Sequence, residues 1–210
     1  MKRLLSIYLL VCSISLTTAQ NNADAEALIN DLIKTINTKG IQSDFSLKVS
    51  DDNLVNLQEF TGRMVMWANK FFLETDILDL WYNGTTQWVL MKAMNEVTIT
   101  SPSEDELSET NPMWLILNNK SKYNIRFSQQ KNQQNHMIEL VPQSQHAGFS
   151  KLNVQINKAN KTLQSVQIQE ENGTTTKIVF KNFQVYASQD AGMFYFDASE
   201  VKGVIINDMR

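Results

Sequence analysis

The chain has 210 residues, of which 42% are apolar, and a formal net charge of −3 at pH 7. This length suits one domain with a sizeable core. A mildly acidic chain without a basic cluster argues against a nucleic-acid partner and against electrostatic docking on anionic lipid.

Residues 1–19 have the pattern of a cleaved secretory signal. Two basic residues precede an apolar stretch over residues 4–16, and Thr17 and Ala19 are small residues at the spacing that signal peptidase requires. The apolar stretch is too short to span a membrane, which takes about 20 apolar residues. We therefore predict an exported, soluble domain over residues 20–210, with 17 basic and 22 acidic residues and a formal charge of −5.

The sequence predicts one long amphipathic helix, over residues 23–36. Its apolar residues recur at steps of three and four, and Gly40 follows, as expected just past a helix end. The apolar stripe consists of Ala25, Leu28, Ile29, Leu32, Ile33 and Ile36.

From Ile41 onward the apolar period changes to two, which predicts β-strands. Short runs of this kind continue to Thr100 and resume after residue 120, with turn signals such as Asn83-Gly84 between several of them. The last of these runs is MFYFD, residues 193–197. The pattern predicts an antiparallel meander of about ten or eleven strands.

Residues 101–120 interrupt the strands. The first part, residues 101–106, is polar and acidic and is predicted to be a loop. Asn111 can cap a helix and Pro112 suits its first position, which predicts a short helix over residues 112–118. That helix is apolar nearly all round, so other parts of the fold must enclose it.

A sheet of this size with one apolar face must close or be covered, and two helices are too few to cover a flat sheet. We therefore predict a mainly β (α+β) fold in a single domain. Its sheet is an incomplete antiparallel β-barrel of about 11 strands, wrapped around the N-terminal helix and a short apolar lid helix.

Signals for catalysis or metal binding are weak. The carboxylate of Glu139 falls on the strand face opposite His136, and His146 lies in a loop, so no metal site is expected. Glu74 and Asp76 share a predicted strand face, but charged residues on the outer face of a half-buried strand are commoner than a catalytic pair. Phosphate-binding glycine loops and a G-x-S-x-G elbow are absent from the sequence. We expect no cofactor and no enzymatic activity.

Methionine and tryptophan are concentrated in residues 64–114. This stretch holds all four tryptophans and five of the eight methionines after Met1. Core packing accounts for most of them, but methionine also suits adaptable apolar surfaces. Their concentration on strands that face a short apolar helix is what a deformable lipid cavity needs.

Several motifs, taken in order, resemble the LolA family of periplasmic lipoprotein carriers, and more closely its Bacteroides-type members. QEFTGRMVMWANKFFLE (58–74) resembles the family's glycine-led strand pair, and WYNGTTQWVL (81–90) resembles its tryptophan-containing hairpin. TNPMWLIL (110–117) resembles the proline-led lid helix, and MFYFDASEVKGVIIND (193–208) resembles the closing segment. The similarity covers essentially the whole mature chain.

The resemblance implies an incomplete barrel closed by helices around a hydrophobic cavity. It implies a periplasmic monomer that carries acylated lipoproteins from an inner-membrane release transporter to the outer membrane, where an acceptor takes them. Because each buried methylene contributes about 0.8 kcal/mol, acyl chains need a carrier to cross water. The resemblance implies no nucleic-acid partner.

The chain departs from the family at two places. Proteobacterial members have a lid-tethering arginine in a K-R-P stretch after the first long strand, whereas this chain has MWANK at residues 66–70. Arg63 is nearby but is not equivalent. The closing segment lacks the family's proline and runs two residues longer between Phe196 and Gly203. Lid control by that arginine is therefore not expected.

Strand alternation predicts which side chains line the cavity, with the condition that a shift of one residue turns a whole strand's set to the other face. The predicted inward set on the strands is Phe45, Leu47, Met64, Met66, Phe71, Leu73, Trp88 and Leu90. From the lid it is met by Met113, Trp114 and Leu117.

Two other functions compete with a soluble carrier. The first is a module of the same fold that binds lipid, senses envelope stress, or serves as a membrane-anchored acceptor. The anchored version requires lipidation of Cys12, the only cysteine, but Val11 stands where a lipoprotein signal has Gly, Ala or Ser. The second is a small envelope hydrolase that would rest on Glu74, Asp76 and the two histidines.

Overall fold

The computed structural model of the chain describes four stretches of residues, and they fold into a mainly β structure with three helices. The expected signal peptide over residues 1–19, with Cys12, lies outside them, and so does His146. No helix in the described part of the chain is long and apolar enough to cross a membrane. The described stretches are residues 22–51, 58–144, 148–187 and 190–210.

Helix α1 covers residues 22–39 and extends three residues past its predicted end. Its apolar stripe is buried in the main core, as amphipathic periodicity predicts. Gly40 ends the helix with a φ of 72°, and its N–H donates to the carbonyl of Ile36 at 3.2 Å. The N–H of Ala68 donates to the same carbonyl at 3.1 Å. This hydrogen bond attaches the turn that contains Ala68 to the end of α1.

The described residues form a single sheet of twelve strands. Its first six strands precede the other two helices, the next five follow them, and the last lies near the C-terminus. The strands are β1 (Ile41–Ser50), β2 (Gln58–Trp67), β3 (Lys70–Thr75), β4 (Leu78–Tyr82), β5 (Gln87–Met91), β6 (Glu96–Thr100), β7 (Tyr123–Phe127), β8 (Asn135–Pro142), β9 (Phe149–Asn157), β10 (Leu163–Glu170), β11 (Thr175–Val185) and β12 (Ile205–Asp208).

The strand order is β12-β6-β5-β4-β3-β2-β1-β11-β10-β9-β8-β7. Within the described residues the two outermost strands, β12 and β7, are not neighbours, so the barrel is open and the predicted incomplete barrel is confirmed. All neighbouring strands are antiparallel except β12, which pairs with β6 in parallel. The prediction of a purely antiparallel meander is wrong at that edge.

Helix α2 (Glu104–Thr110) occupies part of the predicted loop. Ser103 begins it with a capping box: its N–H donates to the Glu106 carboxylate at 2.7 Å, and its Oγ accepts from the Glu106 N–H at 3.4 Å. The acidic residues of the first turn face the positive end of the helix dipole. The loop prediction is therefore wrong for residues 104–106, because the acidic run begins a helix.

Helix α3 (Pro112–Asn119) is the predicted short apolar helix. The Asn111 side chain caps it, since Oδ1 accepts from the Met113 N–H at 3.0 Å. Four consecutive residues, Met113 to Ile116, are each at most 9% exposed. A helix buried over so much of its circumference is enclosed, as its composition predicts.

The predicted strand over residues 193–197 is wrong. Residues Ala191–Phe194 form a 3-10 turn, which Asp190 caps by accepting from the Gly192 N–H at 2.9 Å. Phe194 is fully buried on the outer face of the sheet. There it belongs to a second apolar group, which we call the outer cluster: Val65, Phe72 and Phe194, with Trp67, Trp81 and Met193 packed against them.

Gly62 on β2 has no room for a side chain. A Cβ there would lie 2.1 Å from the Glu74 carbonyl oxygen and 3.0 Å from Cε1 of Phe45. We expect Gly62→Ala to lower the free energy of unfolding by about 1–3 kcal/mol, as overpacking does. Urea denaturation measures it. Gly192→Ala is the matched control, because its nearest contact at 3.4 Å is ordinary. Equal midpoints for the two variants would contradict this account.

Candidate functional site

The inner face of the sheet is the face that packs against the three helices. Residues directly opposite each other on antiparallel strands share a face, so Met64 shares one with Leu73, and Met66 with Phe71. All six residues predicted on β1 to β3 belong to the main core, with Leu47 and Leu73 partly buried at its border. They are Phe45, Leu47, Met64, Met66, Phe71 and Leu73.

The lid helix α3 meets this face through an aromatic contact. The Trp114 ring lies edge-on to Tyr82 at 5.7 Å and to Phe71 at 6.5 Å between centroids. Met113 is buried beside Trp114, and Leu117 packs partly buried against the same core. Nine of the eleven predicted site residues are therefore gathered in one apolar cluster between α3, α1 and the sheet.

The prediction that Trp88 and Leu90 face inward is wrong. Trp88 is directly opposite Trp81, and Trp81 packs against the outer cluster. The Trp88 ring lies 5.8 Å from that of Tyr195 in the C-terminal segment. Leu90, two residues further along β5, shares this outer face. The inward residues of β5 are its neighbours, of which Val89 packs against the main core.

Trp114 is consequently the only one of the four tryptophans on the inner face. Trp67 and Trp81 pack against the outer cluster, and Trp88 stacks under the C-terminal segment. All four indoles lie in the described part of the chain. The tryptophan concentration of the sequence thus serves two faces of the sheet and not one.

Among the inward residues of the β4–β5 hairpin that were missed, three are buried: Leu80, Tyr82 and Gln87. Leu80 and Tyr82 belong to the main core, and Gln87 is opposite Tyr82 at only 8% exposure. Both faces of this hairpin carry large apolar side chains, so alternation alone does not indicate which face is inward. The pairing of Trp81 with Trp88 is the signal that links the two strands.

The inner face carries a polar row at β4 to β6. Tyr82, Gln87 and Thr100 form one row across β4, β5 and β6. Burial, and then the charge of Glu104, raises the pKa of the Tyr82 hydroxyl above its usual value of 10.0. The phenol is therefore protonated at neutral pH and can donate a hydrogen bond close to Trp114.

The place of the family's lid-tethering arginine is used differently here. The turn after β2 bonds to the end of α1, as described above, and Lys70 lies over the Trp67 ring at 5.6 Å. Arg63 pairs with Glu74 at 3.3 Å and lies over Phe72 of the outer cluster, on the side away from the lid. A different polar contact reaches the lid: Lys120 Nζ donates to Asn30 Oδ1 of α1 at 2.6 Å.

Of the residues that suggested a hydrolase, the structure describes Glu74, Asp76 and His136, and no shared site of the three is found among the described residues. Glu74 is exposed and paired with Arg63, and Asp76 is exposed in the turn that follows β3. His136 stacks on Phe127 at 5.7 Å between centroids. Burial, followed by two nearby lysines, lowers its pKa. Among the described residues, no three histidine, aspartate or glutamate side chains are placed to hold a metal ion.

A comparison with protein families identifies the family of this chain. The profile described as "Outer membrane lipoprotein carrier protein LolA" matches residues 36–197. The chain belongs to the LolA family. This family is one of carriers and not of enzymes, and membership supports a lipoprotein-binding, carrier-like role. No curated protein sequence matches the chain.

Solved structures resemble this chain at low sequence identity. An uncharacterized conserved protein from Thermus thermophilus is 13% identical, with 88% of this chain and 99% of that chain covered and a TM-score of 0.55. At a TM-score of 0.44 follow a putative outer membrane lipoprotein-sorting protein domain from Vibrio parahaemolyticus and a LolA superfamily protein from Nitrosomonas europaea. The Vibrio domain is 13% identical, with 79% of this chain and 94% of that chain covered. The Nitrosomonas protein is 8% identical, with 82% of this chain and 98% of that chain covered. At these identities the likeness concerns the fold alone.

Proposed function

We propose that the mature chain is a periplasmic carrier that binds the acyl chains of lipoproteins beneath α3 and shuttles them from the inner to the outer membrane. Residues 1–19 direct export and are cleaved in the course of it. An inner-membrane release transporter supplies the acylated lipoprotein, and an outer-membrane acceptor receives it. The carrier works as a monomer without a cofactor.

The contact of α3 with the inner face carries this proposal. A short helix with four consecutive buried residues covers strands that present methionine and phenylalanine side chains. An acyl chain that enters between α3 and those strands buries its methylenes at about 0.8 kcal/mol each. A long acyl chain therefore supplies several times the free energy of any one lid contact. Flexible methionines let the face fit chains of different shape.

Reversible release requires a lid that is not firmly fixed. The hydrogen bond from Lys120, the residue after α3, to Asn30 of α1 is exposed to solvent. A hydrogen bond of this kind contributes about 0.5–1.5 kcal/mol. With Arg63 on the outer face, the lid is seated mainly by apolar contacts. An acyl chain makes contacts of the same type, so α3 moves away from the strands to admit it without a large change in free energy.

Release of a lipoprotein from membranes tests the proposed function. Inner membranes that hold a newly acylated lipoprotein and the release transporter are incubated with an energy source and the purified mature chain. We expect the lipoprotein to appear in the soluble fraction as a complex with the chain. The same lipoprotein with its acylated cysteine replaced by serine is the control, and it should form no complex. Complex formation without acylation, or none with it, would reject the carrier function.

A further inference from the structure

Three buried polar atoms near the lid have no hydrogen-bond partner among the described residues. They are Nε1 of Trp114, Nδ2 of Asn111 and Oε1 of Gln87. Trp114 is 5% exposed, Asn111 4% and Gln87 8%. Leaving a buried donor or acceptor unpaired destabilises a fold, so such atoms need a reason.

Two of these atoms belong to the cap and first turn of α3, and the third belongs to the strand residue opposite Tyr82. Asn111 caps α3, and its backbone carbonyl accepts from the backbone N–H of Trp114 at 2.8 Å. The Trp114 ring contacts Tyr82, and Tyr82 is directly opposite Gln87. Tyr82 and Gln87 lie in the row that ends at Thr100, next to the apolar cluster. The apolar cluster and this polar group are therefore adjacent.

The chemical roles of the three atoms differ and are complementary to one kind of linkage. The indole and the Asn111 amide offer N–H donors, whereas the Gln87 oxygen is an acceptor. Asn111 cannot turn its amide freely, because its Oδ1 already caps Met113. A carbonyl oxygen accepts two hydrogen bonds, and an amide N–H beside it donates one.

We propose that this polar group binds the linkage that joins an acyl chain to its head group. The carbonyl oxygen of the linkage accepts from Trp114 and Asn111, and the N–H of an amide linkage donates to Gln87. The hydrocarbon tail then lies in the apolar cluster towards Phe71 and Met66. This inference rests on the proposed function, since it assigns the polar end of the ligand that the carrier holds.

The consequence is a preference among acylated ligands of equal chain length. An ether-linked chain offers neither carbonyl nor N–H, an ester offers the carbonyl alone, and an amide offers both. Each satisfied pairing is expected to strengthen binding about fivefold, which corresponds to a typical net hydrogen bond. The order of affinity is therefore amide, ester, ether.

Three probes that differ only in the linkage test this proposal. They are N-(2-hydroxyethyl)hexadecanamide, 2-hydroxyethyl hexadecanoate and 2-(hexadecyloxy)ethanol, and each competes with a fluorescent fatty acid for the purified chain. We expect the amide to bind about fivefold more tightly than the ester, which lacks one pairing, and the ester about 25-fold more tightly than the ether, which lacks two. Equal affinities for the three would overturn the proposal, because water would then satisfy the polar atoms. That result would leave the proposed acyl binding intact. If none of them competes, the proposed function itself fails.

Two variants assign the contacts. Asn111→Asp keeps an oxygen that can cap Met113 but loses the amide donors, so it should reduce the preference for ester over ether. Gln87→Met keeps a similar shape but loses the acceptor, so it should reduce only the preference for amide over ester. Trp81→Phe on the outer face is the control and should leave both ratios unchanged. Ratios between ligands are insensitive to a general loss of stability, so unaltered ratios in folded Asn111 and Gln87 variants would reject the assignment.

Discussion

Trp114→Ala is expected to weaken the binding of a fluorescent fatty acid at least tenfold, a change of about 1.4 kcal/mol or more. Trp114 is the residue through which α3 contacts Phe71 and Tyr82. An aromatic side chain of this size buries roughly 150–250 Å², and an acyl chain beneath the lid loses that surface in the variant. The measurement is a fluorescence titration of the purified mature chain.

The matched control is Trp81→Ala, which removes an indole from the outer face. Trp81 contacts Phe72 and Phe196 at centroid distances of 5.4 and 5.3 Å, so this substitution also removes aromatic contacts. We expect it to reduce stability while leaving fatty-acid affinity within about twofold, because the outer cluster lies across the sheet from α3. Circular dichroism confirms that each variant is folded. Equal affinities in the Trp114 and Trp81 variants would contradict a site beneath the lid.

A brominated fatty acid adds a test of position that depends on no loss of affinity. Bromine quenches an indole in contact with it, and Trp114 is the only inner tryptophan. Dibromostearate should quench part of the emission of the unaltered protein and almost none of that of Trp114→Phe, once binding of the acid is verified by competition. Equal quenching of both proteins would place the chain on the outer face.

Phe194→Ala is expected to lower the free energy of unfolding by about 3–5 kcal/mol, the usual cost of removing a buried phenylalanine. Phe194 is fully buried against Val65 and Phe72, and it joins the C-terminal segment to the sheet. Without it, the cover over Trp81 and Trp88 is weakened as well. Urea denaturation followed by circular dichroism measures the effect.

Tyr195→Ala is the neighbouring control. Tyr195 is 49% exposed and contacts Trp88 from outside, so its loss should lower the free energy of unfolding by about 1 kcal/mol or less. Both variants should bind fatty acid normally under conditions in which they are folded. A similar stability for the Phe194 and Tyr195 variants would contradict the role of Phe194 as the anchor of this segment.

Much of the fold is predictable because its local signals agree with its tertiary packing. The stripe on α1 and the alternation along β1 to β3 predict the inward set correctly, because a charged row of Asp44, Arg63 and Glu74 marks the outer face there. The Asn111-Pro112 start of α3 is also a strong local signal. Ser103 and Glu106 form an equally readable capping box, which the acidic character of the stretch obscured.

The errors occur where both faces of the sheet are covered or where pairing is long-range. On β4 and β5 the inner Tyr82 and the outer Trp88 are both large and apolar, so hydrophobicity does not distinguish the faces. The C-terminal aromatic residues look like a strand, but their backbone turns at Asp190 so that Phe194 can enter the outer cluster. Strand β12 depends on a partner, β6, about a hundred residues away in the sequence, and its residues 205–208 carry no local sign of that pairing.

The path of residues 101–122 has a mechanical consequence. This segment holds α2 and α3 and leads from β6, next to one end of the sheet, to β7 at the other. The segment therefore connects the two ends of the open sheet. Displacement of α3 and separation of the two ends of the sheet are coupled, because the chain between β6 and β7 has a fixed length. The curvature of the sheet, and not the lid alone, then sets the energy needed to admit or release a ligand.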